Sequence, residues 1–134
     1  MPPTDKYRVI HIDDEHEQLF FAKTFLEEAD PAIEVISVMN SDELLEALDE
    51  KIDCIVSDYV MPEMDGMEVC RLVKERSSVP YVIYTGRGSE VVAEAAFNSG
   101  VDDYYIHTDI EKIYCCHFFP FYHACRCGPP YLAA

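Results

Sequence analysis

The sequence predicts an α/β fold in which helices cover both faces of a doubly wound, five-stranded parallel sheet. Short apolar, β-branched runs alternate along the chain with longer segments of helical spacing. Parallel neighbouring strands need long crossover connections, and the intervening helices supply them. The chain has 134 residues and is 49% hydrophobic, so it has the size of one domain that buries a core without disulfide or metal support.

The first strand and helix follow from the pattern of residues 7–31. The run from Tyr7 to Ile12 is short and rich in β-branched residues, which is typical of a strand. Apolar residues then recur at i, i+3, i+4 and i+7, which predicts a helix over about 15–29. The Asp30-Pro31 pair ends this helix, because a residue before proline is driven out of the helical region.

The remaining elements follow by the same reasoning. Ser41 is a good N-cap for a short helix that ends near Glu50. A loop with Pro62 and Asp65-Gly66 separates the third strand from the third helix, and Gly100 ends the fourth helix. The predicted spans are strands over 33–38, 54–57, 79–84 and 103–106, and helices over about 41–50, 67–76 and 89–99.

Polar residues stand directly after several of these strands. Asp13 and Asp14 follow the first strand, Asp58 follows the third and Thr85 closes the fourth. The carboxyl ends of parallel strands meet at one edge of the sheet, where such folds place their sites. Three carboxylates at that edge repel one another and favour a hard cation, Mg²⁺ or Mn²⁺. Taken alone, Asp13-Asp14 is also consistent with acids that stabilise a helix N-terminus.

The charge of the chain excludes several classes of partner. Ten Lys and Arg against 26 Asp and Glu give a formal net charge of −16, which repels nucleic acid and anionic lipid. The first residues lack the features of a signal peptide, and no apolar run reaches the length of a membrane span. We therefore expect a cytoplasmic protein that contacts neither nucleic acid nor a membrane directly.

Residues 7–106 resemble the receiver domain of two-component response regulators. The strongest match is the run Asp58-Tyr-Val-Met-Pro62-Glu-Met-Asp65-Gly66, and Asp13-Asp14 matches the acidic pair of that family. The resemblance implies a flavodoxin-like fold with strand order 2-1-3-4-5. It also implies that Asp58 accepts phosphate from a histidine kinase or phosphotransfer protein. Mg²⁺ or Mn²⁺ would then bind between Asp13, Asp14, Asp58 and the backbone carbonyl of Val60.

The resemblance also assigns a switch and shows one departure from the family. Thr85 matches the hydroxyl residue that rotates toward the acyl phosphate, and Tyr105 matches the aromatic residue that turns inward with it. The family places a lysine after the fifth strand, and we assign that position to Thr108, followed by Asp109. A threonine hydroxyl provides only a neutral hydrogen bond, which predicts a weaker response to phosphate. Lys112 either reaches back to this place or is an ordinary surface lysine.

The C-terminal segment differs in character from the rest of the chain. Residues 113–134 contain no acid, one arginine and four of the six cysteines. We therefore divide the chain into a receiver domain at 1–112 and an atypical tail that is not a second domain. Pro120 would shorten a final helix to about 110–119. Its cysteines and histidines allow a zinc site, although no Cys-x₂-Cys pair is present. An altered reading frame or plain packing of an apolar tail would also account for this composition.

Three functions remain open on the sequence. The first is a signalling receiver that accepts phosphate on Asp58 and switches a binding face for a downstream protein, with slow autodephosphorylation and homodimerisation left open. Since no effector domain follows, it would act alone or be part of a longer regulator. The second is a receiver-like interaction or dimerisation module with impaired switching. The third is an aspartate-nucleophile phosphatase, which Val60 disfavours because such enzymes carry an acid at that position.

Overall fold

The computed structural model describes residues 6–85 and 90–106, and within them strands and helices alternate as predicted. Each of the first four strands is followed by a crossover that contains a helix, which is the arrangement that parallel pairing requires. The elements are β1 (Tyr7–Ile12), α1 (His16–Ala29), β2 (Ile33–Val38), α2 (Ser41–Ala47), β3 (Cys54–Ser57), α3 (Gly66–Lys74), β4 (Tyr81–Thr85), α4 (Glu90–Asn98) and β5 (Asp103–Ile106).

The five strands form one parallel sheet in the order β2-β1-β3-β4-β5. β1 lies between β2 and β3, so that Val9 pairs with Val35 on one side and with Cys54 on the other. The strand order changes direction at β1 and β3, and the carboxyl ends of all strands lie at one edge. The predicted fold class and strand order are both confirmed.

Two apolar layers cover the sheet, and successive residues of a strand alternate between them. Ile10, Ile55 and Ile83 belong to the layer beneath α2, α3 and α4. Val9 and Val56 belong to the layer beneath α1. Because β3 and β4 are buried on both faces, they appear in the sequence as nearly continuous apolar runs rather than as alternating ones.

The start of α2 differs from the prediction by one residue. The N-cap is Asn40 and not Ser41, because the Asn40 side chain accepts a hydrogen bond of 2.8 Å from the backbone N–H of Glu43. The Glu43 carboxylate accepts a bond of 3.2 Å from the N–H of Met39. This reciprocal arrangement is close to a capping box. The helix ends at Ala47, three residues before the predicted end.

β4 begins at Tyr81 rather than at Val79. The preceding segment is held to β3 by a hydrogen bond of 2.9 Å from the N–H of Ile55 to the Pro80 carbonyl, and side chains add further contacts. Lys74 Nζ donates to the carbonyl of Val79 at 2.9 Å, and the N–H of Tyr81 donates to the Asp102 carboxylate at 2.8 Å. The predicted final helix over 110–119 and the tail at 113–134 lie outside the described residues. Within the described part of the chain, every helix is too short or too polar to cross a membrane.

Candidate functional site

Three carboxylates meet at the carboxyl edge of the sheet. One oxygen from each of Asp13, Asp14 and Asp58 lies within 4.8 Å of the other two. Asp13 and Asp14 follow β1, and Asp58 follows β3, the neighbour of β1 in the sheet. The sheet topology therefore brings Asp58 beside an acidic pair that lies far from it in the sequence.

Backbone hydrogen bonds hold the two strand ends in place. The N–H of Asp13 donates to the carbonyl of Val38 at 3.2 Å, and the N–H of Asp58 donates to the carbonyl of Ile12 at 3.3 Å. The Asp13 carboxylate accepts a bond of 2.9 Å from the N–H of Glu15. These bonds extend the sheet pairing to the acidic residues, so the carboxylates are positioned by the core rather than by a loose loop.

The Asp13 carboxyl group is buried among other negative charges. Only 6% of Asp13 is exposed. Burial, together with the charges of Asp58 and Asp14, raises the pKa of Asp13 to about 7, and the hydrogen bond from the Glu15 N–H opposes this rise. A cation at this place would reverse the effect of the neighbouring charges. The donor set of hard carboxylate oxygens fits Mg²⁺ or Mn²⁺.

The start of α3 packs directly against the backbone of Asp58. The buried hydroxyl of Ser57 donates to the Asp58 carbonyl at 2.6 Å, and the N–H of Gly66 donates to the carbonyl of Tyr59 at 2.8 Å. A Cβ atom at Gly66 would overlap the Asp58 carbonyl oxygen and would lie 2.9 Å from Ser57 Oγ. Gly66 therefore positions Asp58. The sequence analysis placed Gly66 only in a turn. A glycine that directly follows an N-cap aspartate, Asp65, could have indicated this close packing.

Val60 and Thr85 lie at the same edge of the sheet as the acidic cluster. Val60 is 40% exposed in the loop between β3 and α3. Thr85 is the last residue of β4, which pairs with β3. The structure thus places both near Asp58 along the chain or across the sheet.

The strand register distinguishes the two tyrosines of β5. Tyr104 pairs with Ile83, and Tyr105 pairs with Tyr84. Tyr104 packs against the apolar layer that contains Ile83, whereas Tyr84 belongs to the layer beneath α1. The family resemblance did not select Tyr104. The layer that Tyr104 joins depends on the pairing of β5 with β4, which the sequence alone does not show.

The end of β5 bears on the position assigned to the family lysine. β5 ends at Ile106, so the residue directly after the strand is His107, and Thr108 comes second. Both residues lie outside the described part of the chain. Neither is a lysine, so the departure from the family holds for both positions.

Known sequences match most of this chain. The family model described as the response regulator receiver domain matches residues 9–111. The transcriptional regulatory protein ResD of Bacillus subtilis (strain 168) is 32% identical over 107 residues, which cover 79% of this chain and 44% of ResD. The chain thus matches less than half of the length of that relative.

Solved structures show the same fold. A two-component response regulator from Clostridium difficile superposes with a TM-score of 0.73 at 24% identity, covering 89% of this chain and 94% of that one. The Mn²⁺-bound form of response regulator Rcp1 superposes with a TM-score of 0.67 at 17% identity, covering 84% and 92%.

Proposed function

The chain belongs to the response regulator receiver domain family of two-component signalling, and on that premise we propose that it accepts a phosphoryl group on Asp58. The donor is a histidine kinase or a phosphotransfer protein. The observation that carries the proposal is the meeting of the Asp13, Asp14 and Asp58 carboxylates at the edge where β1 and β3 end. Family membership and this geometry both support the assignment of this role to Asp58.

The proposed chemistry is a single phosphoryl transfer. An Asp58 carboxylate oxygen forms the new bond to phosphorus as the bond between phosphorus and the donor's histidine nitrogen breaks. The other Asp58 oxygen accepts a hydrogen bond of 2.7 Å from the N–H of Tyr59, which orients the carboxylate. The Ser57 hydroxyl donates to the Asp58 carbonyl, and Gly66 packs closely against the same carbonyl. These contacts keep the nucleophile in one geometry before the donor arrives.

We further propose that Asp13, Asp14, Asp58 and the Val60 carbonyl hold a divalent cation. When bound, Mg²⁺ or Mn²⁺ supplies the positive charge that offsets both the carboxylates and the incoming phosphoryl oxygens. The raised pKa of Asp13 supports this assignment, because burial and the charges of Asp58 and Asp14 disfavour its ionised form, which a bound cation would stabilise. The Mn²⁺-bound form of the structurally similar Rcp1 also supports a divalent ion in this fold.

The proposed read-out moves Thr85 together with a tyrosine of β5. The resemblance selected Tyr105, and the register adds Tyr104, which shares a packing layer with Ile83. Without a lysine at residue 107 or 108, we propose that the phosphorylated state is coupled more weakly to this movement. The moving face would bind a downstream protein or a second copy of this chain.

The domain limits and the cellular setting are part of the same proposal. We assign residues 1–112 to the receiver domain and treat 113–134 as a tail. The cytoplasm is the compartment in which kinases of this class meet their receivers. The net charge of −16 supports a protein partner rather than nucleic acid or anionic lipid.

Phosphorylation with a small phosphodonor tests this function. Wild-type protein incubated with phosphoramidate and Mg²⁺ should gain one phosphoryl group by intact mass spectrometry, and Asp58→Asn should gain none. Asp42→Asn, on the exposed side of α2, is the matched control and should behave as wild type. An adduct that persists in Asp58→Asn would assign the chemistry elsewhere. Absence of any adduct in the wild type would favour a receiver-like interaction module.

A further inference from the structure

An open cleft of about 300 Å³ lies beside the acidic cluster, between the start of α2 and the loop that joins β3 to α3. Its apolar lining includes three methionines, Met39, Met61 and Met64. All three are half-buried, so part of each residue is accessible to solvent and part is packed against the protein. A methionine surface adapts to differently shaped apolar partners, because the side chain is unbranched and polarizable.

Acidic side chains line the same cleft. Asp14, Glu43 and Glu63 contribute to the lining, and no basic residue of the described chain does. Two hydrogen bonds at the start of α2 hold the Glu43 carboxylate, one from the Met39 N–H and one from the Asn40 side-chain amide. The cleft therefore combines an apolar floor with carboxylates, one of which is fixed in place.

We propose that this cleft docks a basic amphipathic segment of a partner protein. An apolar side chain of the partner would rest on the three methionines, and lysine or arginine side chains beside it would pair with Glu43 and Glu63. The sign of the charge selects this partner over an acidic or neutral segment. The net charge of −16 adds long-range attraction for a basic segment and raises its association rate.

The position of the cleft relates the docked partner to the acidic cluster. Asp14 belongs to both the cleft lining and the cluster. Met61 follows Val60, which is 40% exposed and lies two residues after Asp58. A segment in the cleft would thus lie next to Asp58. The inference goes beyond the proposed phosphotransfer, because docking needs neither a cation nor a phosphoryl group.

Methionine-methyl NMR can test the docking directly. The chain has five methionines, three of which line the cleft. The probe is a synthetic amphipathic helix with leucines on one face and arginines on the other, with glutamine and glutamate versions as comparisons. We expect the arginine peptide to shift the methyl signals of Met39, Met61 and Met64 in a saturable way. The glutamate peptide should leave them unchanged, and the glutamine peptide should bind more weakly.

Two double variants with the same net charge separate docking from general attraction. The double variant Glu43→Gln with Glu63→Gln removes two cleft carboxylates and should lower the affinity for the arginine peptide about five- to tenfold. The double variant Glu28→Gln with Glu75→Gln removes two exposed carboxylates from the ends of α1 and α3, and should lower this affinity less than about twofold. Glutamine at residue 43 retains an oxygen that can accept from Met39, so α2 keeps its N-terminal contacts.

Several results would overturn the proposal. Equal losses in the two double variants would show that only net charge matters, and shifts spread over methyl groups outside the cleft would show that the peptide binds elsewhere. Saturation by free arginine at the same concentration as by the peptide would show a site for a small cation.

All titrations are made without Mg²⁺ and phosphodonor and are repeated on Asp58→Asn. Peptide binding in that variant, together with loss of phosphorylation, distinguishes failure of one proposal from failure of the other.

Discussion

The position of Asp13, which suits the proposed cation site, lowers the stability of the fold at neutral pH. Its carboxyl group is buried beside two other carboxylates, and the pKa of Asp13 rises to about 7 from a usual value of 3.8. The unfolded chain therefore ionises Asp13 more easily than the folded protein does. The stability that the protonated Asp13 carboxyl group gives to the folded state is fully present below about pH 4 and is lost as the pH rises to about 7.

Asp13→Asn should accordingly stabilise the cation-free protein at pH 8. We expect the free energy of unfolding to increase by about 1–3 kcal/mol, because the amide is neutral and its oxygen can still accept from the Glu15 N–H. Urea unfolding at pH 8 and pH 4 measures the change, which should be much smaller at pH 4. Added Mg²⁺ should stabilise the wild type more than the variant. A variant less stable than wild type at pH 8 would contradict the assigned electrostatics.

Gly66 is the second residue at which close packing serves the site. Gly66→Ala would push a methyl group into the Asp58 carbonyl oxygen, so the junction of β3 and α3 must shift. We expect a loss of about 1–3 kcal/mol in stability and slower phosphorylation of Asp58. Urea unfolding and the rate of phosphoryl-adduct formation measure the two effects. Glu68→Ala, on the exposed side of the same helix, is the control, and equal effects of both variants would remove the special role of Gly66.

Among the elements, α3 is attached to the sheet by a polar link at its C-terminal end. Lys74 Nζ lies 2.7 Å from the Asp102 carboxylate, and both side chains are about three-quarters buried. The same carboxylate accepts from the N–H of Tyr81, and the N–H of Asp102 donates to the Tyr81 carbonyl. One ion pair thus ties α3 to the starts of β4 and β5, at the edge of the sheet opposite the acidic cluster.

Lys74→Met should destabilise the protein by about 1–2 kcal/mol, because it removes a partly buried, charge-assisted contact while keeping most of the apolar stem. Arg71→Met, on the same helix, loses an exposed hydrogen bond of 3.2 Å to Ser99 and should cost less than about 0.5 kcal/mol. Chemical denaturation of both variants gives the comparison. The role assigned to Lys74 fails if the two variants lose the same stability.

For the whole molecule, apolar packing and net charge have opposite effects on the stability of the folded state. The sheet and its two apolar layers stabilise the compact state. The formal charge of −16 opposes it, since folding brings like charges closer together. Salt screens this repulsion, with a Debye length that falls from about 10 Å at 0.1 M to about 3 Å at 1 M.

Stability should therefore increase with ionic strength even without divalent cations. We expect the urea midpoint to rise when NaCl is raised from about 0.05 M to about 0.5 M. Potassium chloride serves as a control against a specific sodium effect and should give the same rise. A midpoint that falls with salt would show that the ion pairs, such as Lys74 with Asp102, outweigh the general repulsion.

Local pattern was sufficient to predict much of this protein. The apolar pattern predicts β1, β2, β3 and β5 with the same first and last residues as in the structure. A few residues are enough for this, because apolar residues recur at different intervals in strands and in amphipathic helices. The position of Asp13, Asp14 and Asp58 directly after strands was equally readable. Parallel pairing then leaves only one edge of the sheet at which they can meet.

Other features depend on contacts between segments far apart in the sequence, and only the tertiary structure decided them. Tyr104 shares a layer with Ile83 because of the register between β4 and β5. The pKa of Asp13 depends on how deeply the fold buries it, and the cleft exists only where α2 lies beside the loop after β3. Each is a matter of distance across the fold, which periodicity along one segment does not record.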